Sequence, residues 1–155
     1  AWFFNSSFRG TVLKGVRMED VKLDNSTFVN ADFGGVVIVD TSARGANLSH
    51  ADLANTVLRD PKWEGVDLSH ANLRGVEMHN ARLKGAKAEG ADFTGADLLN
   101  GDFRQARLSW ARFVGAKLTR TRWVGAECKG TNFTSALDTG TATWGWGANA
   151  CTSKR

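Results

Sequence analysis

Two histidines and three aspartates are spaced in a way that could do chemistry. His50 and His70 are 20 residues apart, and Asp32, Asp52 and Asp92 follow the same spacing or a multiple of it. Neighbouring imidazoles could bind a metal ion, and paired carboxylates could act as general acid and base. The histidines have no evident third ligand, and the sequence shows no Ser-His-Asp arrangement and no phosphate-binding loop. We therefore expect no catalytic residue, no metal site and no cofactor, and we interpret both sets as surface positions of a repeat.

The spacing of 20 is a multiple of a shorter period of five, which runs from residue 3 to residue 138 without insertion or deletion. A large apolar residue, usually Leu or Phe, occupies every fifth position, and every Phe except Phe4 belongs to this series. A small residue, most often Ala, stands two positions earlier, and Gly or Asn is frequent at the last of the five. A strand would give period 2 and a helix 3.6. Two apolar positions in every five therefore indicate a turn every five residues, with both positions directed inward.

Five segments show the repeat in its plainest form, a small residue followed by Asp or Asn and then Leu or Phe. This pattern, followed by two variable residues, resembles the consensus of the pentapeptide-repeat family. The resemblance covers residues 1 to about 138 and implies an all-β fold, a right-handed quadrilateral parallel β-helix of about seven coils. We divide the chain into this solenoid, 1–138, and a short irregular capping tail, 139–155. The five segments are Ala46-Asn47-Leu48, Ala51-Asp52-Leu53, Ala71-Asn72-Leu73, Ala91-Asp92-Phe93 and Ala96-Asp97-Leu98.

The inward residues of such a solenoid must fill a narrow interior at the density of a protein core. Side chains 20 residues apart should stack in four columns. Ala43 is undersized for its position and Trp63 oversized, and Pro61, which cannot donate a ladder hydrogen bond, stands just before Trp63. We expect a local irregularity around residues 59–64.

The tail departs from the period of five and contains Trp144 and Trp146, which we interpret as a cap over the end of the solenoid. Cys128 replaces Leu or Phe at an inward position, and Cys151 lies in the tail. If the tail folds back over the open end, the two cysteines could form a disulfide. The alternative is a buried free cysteine.

Apolar side chains at outward positions concentrate near the N-terminus. A contiguous exposed apolar patch usually marks a binding surface. We expect one here that binds a protein partner; the alternative is that a preceding segment of the chain covers it. The predicted partner-binding residues are Trp2, Phe4, Val37, Val39 and Val57.

Basic residues concentrate near the other end of the repeat region, where Glu127 is the only acidic residue between positions 103 and 135. Their spacing distributes them over all four sides as a collar, which indicates a solvated surface or a dock for an acidic partner rather than a nucleic-acid groove. The predicted basic collar consists of Arg104, Arg107, Arg112, Lys117, Arg120 and Arg122.

These features favour a non-catalytic interaction protein, a structural subunit or assembly factor of a larger complex. No apolar stretch is long enough to span a membrane. Some members of the resembled family reside in cyanobacteria and in the thylakoid lumen, so a photosynthetic complex is one expected setting. The thylakoid lumen or another processed, oxidising compartment is the expected location, with the cytoplasm as the alternative. The alternative function is a topoisomerase-binding DNA mimic of the quinolone-resistance type, from which this chain departs by its net charge of +4.

Overall fold

The fold is a four-sided solenoid of parallel coils. The computed structural model describes residues 1–138, 140–144 and 151. Parallel bridges join residues 20 apart in successive coils, as they join Trp2 to Lys22 and Ser7 to Thr27. No helix occurs in the described ranges, and the prediction of an all-β quadrilateral β-helix is confirmed. We number the faces in chain order, so that faces 1, 2, 3 and 4 of the first coil begin at residues 1, 6, 11 and 16.

Face 4 carries regular strands, which form one parallel sheet in the order β1-β2-β3-β4. Their middle residues are buried and their outer residues are half-buried or exposed. The same alternation continues in the later coils as single bridges, so each face has one inward ladder and an outward surface. The strands are β1 (Arg17–Glu19), β2 (Val37–Val39), β3 (Val57–Arg59) and β4 (Glu77–His79).

The corners explain the recurrence of Gly and Asn. The last residue of most repeats has a positive φ, between 50° at Asp20 and 81° at Gly140. Glycine adopts this left-handed conformation freely, and Asn and Asp tolerate it better than other residues. At many corners the next N–H then donates to the carbonyl three residues back, as Ala31 does to Phe28 at 3.0 Å. The chain therefore turns once every five residues, and these turns set the five-residue period of the sequence.

The interior is filled by stacked side chains. Phe93 stacks on Phe113 with ring centroids 4.7 Å apart, and Phe103 stacks on Trp123 at 4.5 Å. The two ladders meet edge to face, with Phe113 and Trp123 5.3 Å apart at 86°. Offset and edge-to-face aromatic pairs are the favoured geometries. The inward pattern read from the sequence is therefore the core, and outward residues are free to serve other purposes.

The prediction of an irregularity around residues 59–64 is wrong. Lys62 pairs in register with the coils on both sides, and Trp63 is fully buried in the column where Ala43 leaves room beside it. Pro61 breaks no ladder because its position does not donate in this part of the solenoid. Its counterpart one coil later, Ala81, has no backbone N–H hydrogen bond within the described chain either.

The described part of the tail closes the C-terminal end. Thr143 pairs with Arg122, one residue beyond the regular spacing of 20. Trp144 thereby stacks on Trp123, with ring centroids 5.4 Å apart, and its indole N–H donates to Asp138 Oδ2 at 3.1 Å. Trp144 therefore covers the end of the aromatic column as a cap would. Trp146, the other tryptophan interpreted as a cap, lies outside the described residues.

Cys128 and Cys151 form a disulfide in the structure. Cys151 is fully buried, and Cys128 packs against the core. The bond ties the end of the tail to an inward position of the last coil, so the cap is attached covalently as well as by stacking.

Candidate interaction surfaces

Within the described chain, the inward side chains of the first coil are the least covered part of the core. Phe3, Phe8 and Leu13 occupy inward positions, yet no coil of the described chain covers them, and Phe3 is 43% exposed. They border a mainly apolar hollow of about 270 Å³. The backbone edge is unpaired too, because the N–H groups of Ser7 and Val12 make no hydrogen bond among the described residues. An exposed apolar sheet edge favours pairing with another chain.

Two of the predicted partner-binding residues form an aromatic pair on face 1 of the first coil. The rings of Trp2 and Phe4 are 6.1 Å apart, and Trp2 is 72% exposed. Lys22 Nζ lies 5.0 Å from the Trp2 ring centroid and holds it by a cation–π contact. The pair is thus an ordered apolar group on the surface of the first coil.

The three predicted valines lie together on face 4. Val37 pairs directly with Val57 in the parallel sheet, and Val39 follows on the same outward side. All three are half-buried. The structure therefore brings the valines together and the two aromatics together, but as separate groups on adjoining faces.

The sequence pattern missed part of this apolar surface. Phe3 and Val16 hold inward places in the repeat, but both are exposed because they belong to the first coil. Val12, which the repeat already assigns to an outward position, is 71% exposed. The signal that could have identified them is position, since the inward residues of a terminal coil lack a neighbour on one side.

The basic collar is largely compensated by carboxylates. Five of its six cations face an Asp or Glu, in most cases one coil earlier, which the linear sequence places about 20 residues away. Arg120 is exposed, and its backbone N–H donates to Thr141 Oγ1 at 3.0 Å. The cluster of positive charge counted along the sequence is therefore much weaker on the surface. The pairs are Arg104–Asp102 (2.6 Å), Arg107–Glu89 (2.8 Å), Lys117–Asp97 (3.1 Å), Arg112–Asp92 (3.7 Å) and Arg122–Asp102 (3.8 Å).

Asp102 holds two of these cations. Arg104 donates to it through Nε at 2.8 Å and through Nη2 at 2.6 Å. Partial burial acts to raise the pKa of Asp102, but the hydrogen bonds from Arg104 and the charges of Arg104 and Arg122 outweigh burial, so the pKa lies below its ordinary value. Asp102 is therefore an ionised anchor that orients two guanidinium groups.

The histidines stack but assemble no recognisable metal site. The rings of His50 and His70 lie 5.1 Å apart and nearly parallel on one corner of the solenoid. No group of three or more His, Cys, Asp or Glu side chains within the described ranges could hold a metal ion. Asp32, Asp52 and Asp92 hold repeat positions on face 3, where Asp32 and Asp92 accept the backbone N–H two residues on. These side chains therefore have a structural role in the repeat.

The profile of pentapeptide repeats matches the chain in eight copies, over residues 3–38, 28–60, 51–87, 85–109 and 111–136. The chain belongs to the pentapeptide-repeat family. Proteins with pentapeptide repeats are in general structural or interaction proteins rather than enzymes. No helix in the described part of this pentapeptide-repeat protein has the length and apolar character needed to cross a membrane.

Two solved structures are similar to this pentapeptide-repeat protein to different extents. Full-length QnrB1, a plasmid-mediated fluoroquinolone resistance protein, superposes with a TM-score of 0.54 at 17% identity, over 89% of this chain and 93% of that one. A pentapeptide-repeat protein of the Arabidopsis thaliana thylakoid lumen has a TM-score of 0.41 at 23% identity, over 76% of this chain and 68% of that one. No curated protein matches the sequence. At these identities the likeness extends to the fold alone.

Proposed function

We propose that this pentapeptide-repeat protein is a non-catalytic subunit or assembly factor of a larger complex, and that its N-terminal coils bind a protein partner. The observation that carries the proposal is the apolar outward surface of the first three coils. Trp2 and Phe4 form an aromatic pair on face 1, and Val37 pairs with Val57 on face 4. A contiguous apolar patch on a protein surface usually marks a binding site.

The chemistry of the N-terminal surface favours a protein partner. Burial of apolar surface stabilises a complex by roughly 25 cal/mol per Å², before the costs of association are subtracted. Trp2 and Phe4 supply aromatic anchors, the kind of residue enriched in the energetically dominant part of interfaces. Val37 and Val57 supply an adjoining apolar strip on a flat parallel sheet.

The disulfide bears on the compartment. Disulfides form and persist in oxidising compartments and are rare where thiols are kept reduced. The disulfide supports an oxidising compartment. In its specific form, the proposal is the thylakoid lumen, with a photosynthetic complex as the partner. The cytoplasm is the alternative that reduced cysteines in native protein would support.

The DNA-mimic alternative has little support. A mimic of duplex DNA needs a strongly negative surface, whereas this chain carries a net charge of +4. The likeness to QnrB1 at 17% identity concerns the fold. Full gyrase supercoiling activity in the presence of the protein would exclude this alternative, and inhibition would revive it.

The experiment is a quantitative pull-down from the source organism with Val37→Lys/Val57→Lys. These substitutions put two charges on the apolar strip of face 4. The matched control is Thr27→Lys/Asn47→Lys, a directly paired and half-buried couple in the same two coils on face 2. We expect the valine variant to lose the partner and the control to retain it, with circular dichroism showing both folded. Equal recovery by the two variants would show that the valine strip is not the dock.

A further inference from the structure

A cluster of three cations on face 1 has no carboxylate to pair with. Lys62 and Arg82 are direct neighbours in successive coils, and Lys84 lies two residues beyond Arg82 on the same outward side. Within the described chain, none of the three side chains makes an ion pair or a hydrogen bond. This cluster lies outside the basic collar, whose cations are mostly paired.

The carboxylates near the cluster are engaged elsewhere. Glu64 binds Arg44 Nε at 3.2 Å, Asp102 binds Arg104 at 2.6 Å, and Asp60 accepts a hydrogen bond from Asn80 Nδ2 at 2.8 Å. Because each neighbouring acid has a partner of its own, the charge of the three cations remains available to a ligand.

The surface beside the cluster is concave. A shallow depression of about 420 Å³ lies on face 1, with Arg82 and Lys84 on one side and Arg104 and Arg122 on the other. Ala81 contributes a small buried side chain to its lining. Asp102 fixes the guanidinium group of Arg104 within this lining. A ligand that enters the depression therefore meets four cations, two of them oriented by Asp102, and two carboxylates, Glu64 and Asp102, that already have partners.

We propose that this depression and the adjoining surface bind an acidic, extended segment of a protein, through Arg82 and Lys84 in the lining of the depression and Lys62 beside Arg82. Arg82 pairs with the coils on both sides, and Lys84 lies in the turn that follows it, so the two cations are close in sequence on one face. Each of them can meet one carboxylate of an extended acidic segment. Lys62, about 4.8 Å from Arg82 along the solenoid axis, completes the contact from the preceding coil. The surface is separate from the N-terminal dock and does not depend on it.

Nucleic acid fits this surface less well. The cationic strip is two residues wide, which suits one extended chain rather than a duplex. Single strands are usually held by bases stacked on aromatic side chains. The outward positions of face 1 between residues 62 and 124 carry no aromatic side chain. Carboxylates, which need only charge and donors, are the better match.

The test is a titration with a ten-residue peptide of alternating Glu and Thr, followed by NMR shifts of backbone amides at about 50 mM salt, where surface charges are weakly screened. We expect the largest shifts at face 1 of the fourth to sixth coils. Arg82→Gln/Lys84→Gln should weaken binding about tenfold or more, since both contacts are lost. Val37→Lys/Val57→Lys should bind the peptide as the wild type does, which separates this surface from the proposed dock.

The matched control is Arg59→Gln/Lys87→Gln, which removes one Arg and one Lys from exposed positions on faces 4 and 2. It should change the affinity by no more than about twofold, because net charge alone contributes weakly at this distance. If both double variants lost the same affinity for the peptide, net charge alone would explain the loss and the proposal would be overturned. Absence of binding by the wild type would overturn it too. Tighter binding of a single-stranded oligonucleotide through the same residues would reassign the surface to nucleic acid.

Discussion

Trp63 and Trp123 hold equivalent inward positions on face 1, but only Trp123 has a partner for its indole N–H. Trp123 Nε1 donates to Thr121 Oγ1 at 2.7 Å. Trp63 Nε1 is buried and has no hydrogen-bond partner in the described structure. The residue two positions before Trp63 is Pro61, which offers no side-chain acceptor. The oversized residue therefore fits by volume but leaves a buried donor unsatisfied.

We expect Pro61→Thr to stabilise the protein. An unsatisfied buried donor costs about 1–3 kcal/mol, and the Thr hydroxyl would supply the acceptor that Thr121 supplies to Trp123. Loss of proline increases the entropy of the unfolded chain and costs about 0.4–1 kcal/mol. The net gain should be about 1 kcal/mol, visible as a Tm increase of about 3 °C in thermal unfolding.

The control for this change is Pro61→Ala, which removes the ring without adding an acceptor. It should be neutral or mildly destabilising. If Pro61→Ala and Pro61→Thr had the same Tm, the hydroxyl would not reach Trp63 Nε1 and the explanation would be wrong.

The inward register makes a second prediction, at two adjacent residues. Leu73 is fully buried, whereas Arg74 is exposed and forms an ion pair with Asp92 at 3.0 Å. Leu73→Lys places an unpaired charge in a packed core and should cost several kcal/mol, enough to unfold the chain. Arg74→Ala loses only a surface ion pair and should stay within about 1 kcal/mol. Circular dichroism and thermal melting will rank the two, and the reverse order would disprove the register.

The core was predictable because the repeat places a residue of similar size at each equivalent inward position. The five-residue period assigned Phe93, Phe103 and Phe113 to the interior, and the spacing of 20 assigned their columns, since stacked coils place such residues together. The same spacing shows in retrospect why the collar is weak, because the carboxylate that pairs with Arg107 is Glu89, in the coil before it.

Two features were not predictable from the pattern. The tolerance of Pro61 depends on which turn N–H groups donate, and that differs between corners of similar sequence. The register of the tail depends on one extra residue before Thr143, and the repeat pattern gives no indication of it. The predicted partner-binding residues stay a prediction, because outward positions are not constrained by packing and the repeat pattern does not indicate their role.

The disulfide should contribute measurably to stability. A bridge across a sequence separation of 23 is worth about 3 kcal/mol in the chain-entropy model. The free energy of unfolding of Cys128→Ser/Cys151→Ser should therefore be lower than that of the wild type by about 3 kcal/mol. The double variant should accordingly unfold at a lower denaturant concentration. Reductant should lower the Tm of the wild type and leave the double variant unchanged.

The redox state in native protein tests the compartment as well. Intact-mass measurement with and without reductant, after thiol blocking during extraction, should show no free thiol before reduction. Two blocked thiols in protein from its native source would contradict both the bridge in the cell and the oxidising compartment.

Trp110 lies directly over Gly130 at the corner of the next coil, and this contact makes the last prediction. A Cβ at residue 130 would come within 2.3 Å of Trp110 Cε3, and Gly130 has a φ of +69°. Gly130→Ala therefore combines a backbone cost of about 1–2 kcal/mol with the displacement of the indole. Because Trp110 is 65% exposed, the ring can swing away into solvent and lose its packing, so the fold should survive at a loss of about 2 kcal/mol or more.

Gly115→Ala separates the two contributions. Gly115 has a φ of +64°, and a Cβ there would meet nothing within 4 Å, so only the backbone cost applies. Gly130→Ala should lower the free energy of unfolding in urea more than Gly115→Ala does. The difference between the two variants should vanish in a Trp110→Ala background, as a double-mutant cycle would report. Equal costs for the two glycines in the wild-type background would show that the indole contributes nothing at this corner, because the excess of Gly130→Ala is the energy of that contact.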